Sequence, residues 1–329
     1  MKQSIVILSI LLLIGCEKDG VNRPESGKIN YRQEMRNFVQ KISQQGKAAN
    51  GYFIIIPQNG QELVTLDGEP DGSPATDYIE AIDGTGREDL FYGYYEDDEP
   101  TPDDEKEYMI AFCDLCEQNN VEVLTTDYCS SYTRMDDSYT RNDLKGYISF
   151  AAPRRELNVI PDYPSQPFHV NNINVAILPA AKNFLYLINP ENFYTKKDFL
   201  DAVSSTNYDL IIMDCFFNDS AYSVAEIAQL KTKQNGSKRL VISYLSIGEA
   251  EDYRYYWQSD WNSHPPEWLE NENPDWGGNY KVRYWYDDWQ NLICGNDSSY
   301  LKKILDAGFD GVYLDIIDAF EYFEEQEDQ

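Results

Sequence analysis

Six short apolar runs in this 329-residue chain are closely followed by a carboxylate or an amide: Asn59, Glu88, Asp127, Asp214, Glu249 and Asp315. Gathered in one cleft, such groups suit general acid–base work, in which a protonated carboxyl donates and an ionised one attacks or stabilises. Other chemistries lack their parts. His169 and His264 are the only histidines, which leaves little for a histidine-rich metal site or a Ser-His-Asp triad. No GxGxxG or Walker pattern is present to cradle a nucleotide's phosphates. Basic side chains number 27 against 57 acidic ones, a net charge of −30. That balance excludes nucleic acid as an expected partner, because phosphate binding needs basic patches. It would attract a polycationic one. All six tryptophans fall between Trp257 and Trp289. Most are expected to pack a long loop, with one or two lining a groove for flat sugar faces. An acidic, aromatic cleft of this kind suits glycoside hydrolysis, which needs two carboxyl groups flanking the scissile bond.

The runs that must position these groups are Tyr52–Ile56, Tyr78–Ile82, Val121–Thr125, Tyr147–Ala151, Phe184–Ile188, Tyr208–Met213, Arg239–Tyr244 and Gly311–Leu314. Near-continuous apolar runs of this length read as parallel strands buried on both faces. Helical patterns separate most of them. Met35, Phe38, Val39 and Ile42 form one stripe over Tyr31–Ser43, and residues 103–118 and 298–307 read as further helices. Thr195 with Asp198, and Ser223 with Glu226, have the spacing of helix-capping boxes. Eight strands in such alternation predict an α/β fold of the (β/α)8 TIM-barrel type, whose strands converge at their C-terminal ends on one mouth. An open doubly wound sheet is the alternative, and its usual Gly-rich loop is missing. The one long irregular connection runs from Asn158 to Pro179.

At the N-terminus, Met1-Lys2-Gln3 precedes an apolar run, Ser4–Ile14, of secretory type. The run closes on Leu13-Ile14-Gly15-Cys16, which resembles the lipobox of bacterial lipoproteins. The expected plan is a signal peptide over residues 1–15, lipidation at Cys16, a flexible tether over 16–30 and a single domain over 31–329. Within that domain, 31–157 and 180–329 are half-barrels joined by the 158–179 connection. A lipid anchor would place the protein in the cell envelope, on an outer membrane or the cell surface of a bacterium. Cys113 and Cys116 form a CxxC inside a helical pattern, with no second CxxC or nearby histidine to complete a zinc site. Buried core thiols are expected there.

Three segments carry a specific resemblance: Ser243–Trp257 (SYLSIGEAEDYRYYW), Glu272–Trp285 (ENPDWGGNYKVRYW) and Gly308–Phe320 (GFDGVYLDIIDAF). They are similar to glycoside hydrolase family 114, the endo-α-1,4-polygalactosaminidase family and its glycosidase relatives. In that family such blocks occupy the first four strands. Blocks resembling the second half (Met35–Val39, Ile54–Gly60, Glu88–Tyr92 and Thr126–Tyr128) precede residue 180 here. The resemblance therefore implies a circular permutant, family strands five to eight first and one to four after, covering roughly residues 31–325. It implies Asp315 as nucleophile or stabilising carboxylate and Glu88 as general acid/base, with Asp89 and Asp318 as neighbouring competitors. Asp214 and Glu249 would meet an amino sugar's ammonium, and Tyr186, Tyr244, Asn59, Asp127 and Asp318 would complete the binding mouth. No metal or organic cofactor is implied. The expected partner is a polysaccharide, a polycationic one being among the candidates, cut internally by a monomeric, retaining enzyme. A catalytically silent carbohydrate-binding lipoprotein on the same scaffold is the competing class. Closure of the barrel requires Tyr52–Ile56 beside Gly311–Leu314, and Tyr147–Ala151 beside Phe184–Ile188.

Overall fold

Two parallel sheets carry the fold in the computed structural model, which describes residues 28–327. The unit described below is Tyr31–Gln329; Cys16 and the signal-peptide stretch lie outside the described residues. The eight strands of these two sheets are β1 (Ile54–Pro57), β2 (Gly84–Glu88), β3 (Glu122–Tyr128), β4 (Ile148–Ala152), β5 (Phe184–Tyr186), β6 (Leu210–Met213), β7 (Leu240–Ser246) and β8 (Gly311–Asp315). One sheet runs β1-β8-β7-β6-β5 and the other β2-β3-β4. All these ladders are parallel. The chain's first and last strands are neighbours, as expected, with Ile54 opposite Gly311 and Pro57 opposite Leu314. A parallel bridge from Gln58 to Gly86 links the end of β1 to β2. Across the other gap, the rings of Phe150 (β4) and Phe184 (β5) lie 5.7 Å apart.

Burial explains why these runs became strands. Every residue of β1, β4, β5, β6 and β7 is buried, and each large aliphatic side chain so removed from water contributes about 1.5–3 kcal/mol. The β2 expectation was displaced. Tyr78 and Ile79 belong to a short helical turn, Thr76–Ile79, and the strand is the glycine-containing Gly84–Glu88. Apolar character suggested the former, but the latter lies where backbone must approach closely. A Cβ on Gly86 would stand 1.9 Å from the Tyr313 hydroxyl of β8, and one on Gly84 would stand 2.9 Å from the Glu122 carbonyl.

Helix Tyr31–Ala49 buries the expected Met35, Phe38, Val39 and Ile42. Both capping boxes form, at Thr195 for Lys196–Ser204 and at Ser223 for Val224–Leu230. The stretch from Asn158 to Ile177 has no regular elements and leads into a single 3-10 turn, Leu178–Ala180. All five cysteines of the described residues are buried and unpaired. After β7 the chain makes a three-stranded antiparallel excursion, with Asn279–Val282 between Glu249–Glu251 and Leu269–Glu272. Its tryptophans form a packed series: Trp257 to Trp261 at 5.1 Å, Trp261 to Trp268 at 5.0 Å and Trp268 to Trp289 at 5.1 Å. Trp289 donates from Nε1 to the Ile247 carbonyl at 2.9 Å, tying this cluster to the end of β7.

Candidate active site

A cleft of about 920 Å³ opens at the C-terminal ends of the strands. Parallel strands place their last side chains at one end of the sheet, so residues distant in sequence converge there. Of the expected site residues, Asn59, Glu88, Tyr186, Asp214, Tyr244, Glu249, Asp315 and Asp318 all line this cleft. Eight carboxylate residues and two cationic ones, Arg155 and Arg254, share its walls.

Asp315 ends β8 and Glu88 ends β2, with β1 between them. The Tyr244 hydroxyl donates to Asp315 Oδ2 at 2.6 Å, and the Ile316 N–H donates to Oδ1 at 2.8 Å. Burial, and after it the negative charge of Glu88, pushes the Asp315 carboxyl up to about 7. Glu88 accepts from the Tyr128 hydroxyl and, at 3.2 Å, from Asn59 Nδ2. Burial and the adjacent carboxylates push both tyrosine hydroxyls well up, so they stay protonated as donors. Below the pair, the Tyr186 hydroxyl donates to Gln58 Oε1 at 2.8 Å. This arrangement sets two carboxyls in a single cleft, each accepting from a tyrosine hydroxyl.

Asp214 is spoken for. Its Oδ2 pairs with Arg254 at 2.7 Å, and Arg254 also grips Glu251 at 2.6 Å. Glu249 is freer: Oε1 accepts from Asn273 at 2.8 Å and faces Lys281 at 3.3 Å, whereas Oε2 is buried with no partner among the described residues. Asp318 lies beside the pair, and burial raises it to about 6.

Asp127 is a correction. It does not line the cleft. Its carboxylate is fully buried on the other face of β3, accepting from the Phe91 and Tyr92 N–H groups, Ser138 and Asn142. Successive strand residues point to opposite faces, so its neighbour Tyr128 enters the cleft instead. Asp127 therefore holds the loop after Glu88 rather than a ligand. Asp89, the competitor, pairs with Arg155 at 3.0 Å. That arginine stacks 3.9 Å over the Tyr128 ring. Sequence reasoning passed over Tyr128, Gln58, Arg155, Glu251 and Arg254. A phase check on β3 would have found Tyr128, but no local signal marks the others. Of the six tryptophans, Trp257 and Trp276 reach the cleft, and Trp261, Trp268 and Trp289 are buried.

A parallel α/β scaffold here carries paired carboxyls and aromatic walls at its strand ends. Residues 174–329 match the model of glycoside-hydrolase family GH114. The matched stretch holds β5 to β8 and hence Asp214, Glu249 and Asp315; Glu88 and Asn59 lie before it. Relatives include an uncharacterized protein of Methanocaldococcus jannaschii, 45% identical over 130 residues. Uncharacterized proteins of Thermotoga maritima and Deinococcus radiodurans are 37% identical over 124 residues and 41% identical over 122. These matches cover 37–38% of this chain and 35–37% of the relatives' own length.

Proposed function

We propose that this protein is an endo-acting, retaining glycoside hydrolase that cuts an α-linked amino-sugar polysaccharide of the galactosaminogalactan kind. The observation that carries this reading is the Asp315–Glu88 pair: two carboxyls in one cleft, at strand ends on either side of β1, each held by a tyrosine hydroxyl. Asp315 attacks the anomeric carbon as the glycosidic C–O bond breaks, while Glu88 gives its proton to the departing oxygen. Glu88 then takes a proton from water as that water displaces Asp315 from the sugar, restoring both groups. Tyr244 and the Ile316 N–H hold Asp315, and Tyr128 and Asn59 hold Glu88.

The cleft's acidic excess favours a cationic substrate. Glu249 already faces Lys281 through Oε1, but its Oε2 has no partner among the described residues and is the acceptor offered to an ammonium group, whereas Arg254 takes up Asp214. Trp257 and Trp276 supply flat apolar faces for neighbouring sugars. In this reading the two sheets are halves of one circularly permuted (β/α)8 barrel, supported by the β8–β1 ladder and the Gln58–Gly86 bridge. The protein works as a monomer, lipid-anchored through Cys16 in the cell envelope.

The test is oligosaccharide release from partly deacetylated galactosaminogalactan and a wider glycan panel, with product anomers followed by NMR. Asp315→Asn and Glu88→Gln should each abolish turnover of the polymer while leaving a cooperative unfolding transition. Activity that survives both changes removes this site. Polymer binding without release by the wild type favours the silent binding protein. Release of Cys16→Ser from the membrane fraction checks the anchor.

A further inference from the structure

The residue after Asp315 has an unusual backbone. Ile316 sits at φ 58°, a left-handed conformation that is a genuine outlier for a β-branched side chain. Asp315 itself still belongs to β8, so the chain turns abruptly at this one residue. In that conformation the Ile316 N–H folds back onto the carboxylate of Asp315 at 2.8 Å. Such strain persists only where the surroundings over-determine it.

Two glycines on the neighbouring strands' exits supply those surroundings. Gly248, just past β7, lies so close that a Cβ there would stand 2.1 Å from the Ile316 carbonyl oxygen and 2.8 Å from the Ala319 Cβ. Gly60, past β1 and itself at φ 54°, would place a Cβ 3.0 Å from Ile317 and 3.3 Å from the Asp318 nitrogen. The 315–318 segment is thus held from both sides by backbone that carries no side chain. The Ile247 N–H also donates to the Asp315 carbonyl at 3.1 Å, which locks the strand end at the same height.

We infer that Gly248 is a positioning residue: the bare backbone of the β7 exit seats the Ile316 carbonyl, holds Ile316 left-handed and so aims its N–H at the reacting carboxylate of Asp315. The inference rests on Asp315 being a reacting group, but the geometry it concerns is measurable without turnover. A Cβ at position 248 collides with backbone rather than with a flexible side-chain end, so Ile316 must move and its N–H must leave Oδ1. The charged and titratable groups facing Asp315 are Glu88 from β2, Tyr244 from β7, Tyr186 from β5, Tyr313 from its own strand and Asp318 from its own loop. None of these groups is itself substituted in a Gly248 variant.

The experiment is an NMR titration of the Asp315 carboxyl in wild type and Gly248→Ala, alongside kcat and KM on whichever glycan the wild type cleaves. Losing a donor to the ionised form should raise the Asp315 midpoint by about one pH unit. Misplacement of the carboxylate should lower kcat by roughly hundredfold with KM little changed. Gly308→Ala is the control. Gly308 is also left-handed, at φ 86°, with nothing near its missing Cβ, so it should lose stability without moving the Asp315 midpoint. If Gly248→Ala does not fold, Ile316→Pro serves, since it removes the same N–H and the left-handed backbone together. An unmoved Asp315 midpoint in a folded variant overturns the proposal, as does an equal shift in Gly308→Ala. A wild type inactive on every glycan overturns the glycosidase reading alone, because the titration still reports the positioning.

Discussion

Asp315 accepts hydrogen bonds from Tyr244 and Ile316, which favour its ionised form, yet burial and the charge of Glu88 outweigh them and hold its proton to about pH 7. As the proposed nucleophile, Asp315 must be ionised to attack. The single-turnover rate with an aryl glycoside whose leaving group needs no proton should therefore fall as pH drops through about 7. Glu88→Gln removes the neighbouring negative charge, so the acid limb should move to lower pH, whereas Tyr244→Phe removes a stabilising donor and should move it higher. A limb that stays put in Glu88→Gln would separate the two carboxyls functionally. At the same scale, Asp127 shows how a plausible carboxylate becomes structural: four partners from helix and loop surround it, leaving no lone pair for a ligand.

Among the elements, β2 and β8 meet through a complementary pair, since Gly86 leaves the space that the Tyr313 ring and hydroxyl fill. Gly86→Ala should overpack this contact and cost about 1–3 kcal/mol. Tyr313→Leu alone leaves a cavity, but in the double variant the added methyl has room. Urea unfolding of the four proteins should show a favourable coupling of more than about 1 kcal/mol. Additive losses would mean that the two strands do not meet in this way. The helices rest on local rules instead. Ser223→Ala, which removes one capping box, should cost about 1 kcal/mol.

Across the whole molecule, the raised carboxyls set a pH trend. Asp315 and Glu321 are pushed up to about 7, and Asp89 and Asp318 to about 6, in each case chiefly by burial. Unfolded carboxyls release their protons near pH 4, so between about 4 and 7 the folded chain binds more protons than the unfolded one. Stability then falls as pH rises through that window. Calorimetry should show Tm rising from pH 8 to pH 5, with a flatter profile for Asp315→Asn; a maximum at pH 8 would contradict the burial of these groups. The net charge of −30 acts in the same sense by self-repulsion. If the proposed polycationic sugar polymer is the ligand, its binding should weaken with salt, most steeply at low ionic strength. Equal binding of a fully acetylated polymer would assign that charge to solubility alone.

Local chemistry made much of this legible in the amino-acid sequence. Apolar runs marked seven of the eight strands, helical periodicity marked Tyr31–Ala49, and serine or threonine with an acid three positions on marked both capping boxes. Those signals depend on neighbours within a turn or two of chain. The eighth strand was missed because Gly84 and Gly86 are specified by Tyr313, Leu178 and Glu122, residues remote from them in the chain. The same limit governs the site. That carboxylates follow strand ends is a sequence fact; that Asp127 turns inward to its helix, that Arg254 occupies Asp214, and that Asp315 and Glu88 share one cleft from either side of β1 are decided only when distant segments pack. Side-chain phase and partner choice are set by what lies across the sheet, and a one-residue change of phase carries a side chain from the cleft to the core.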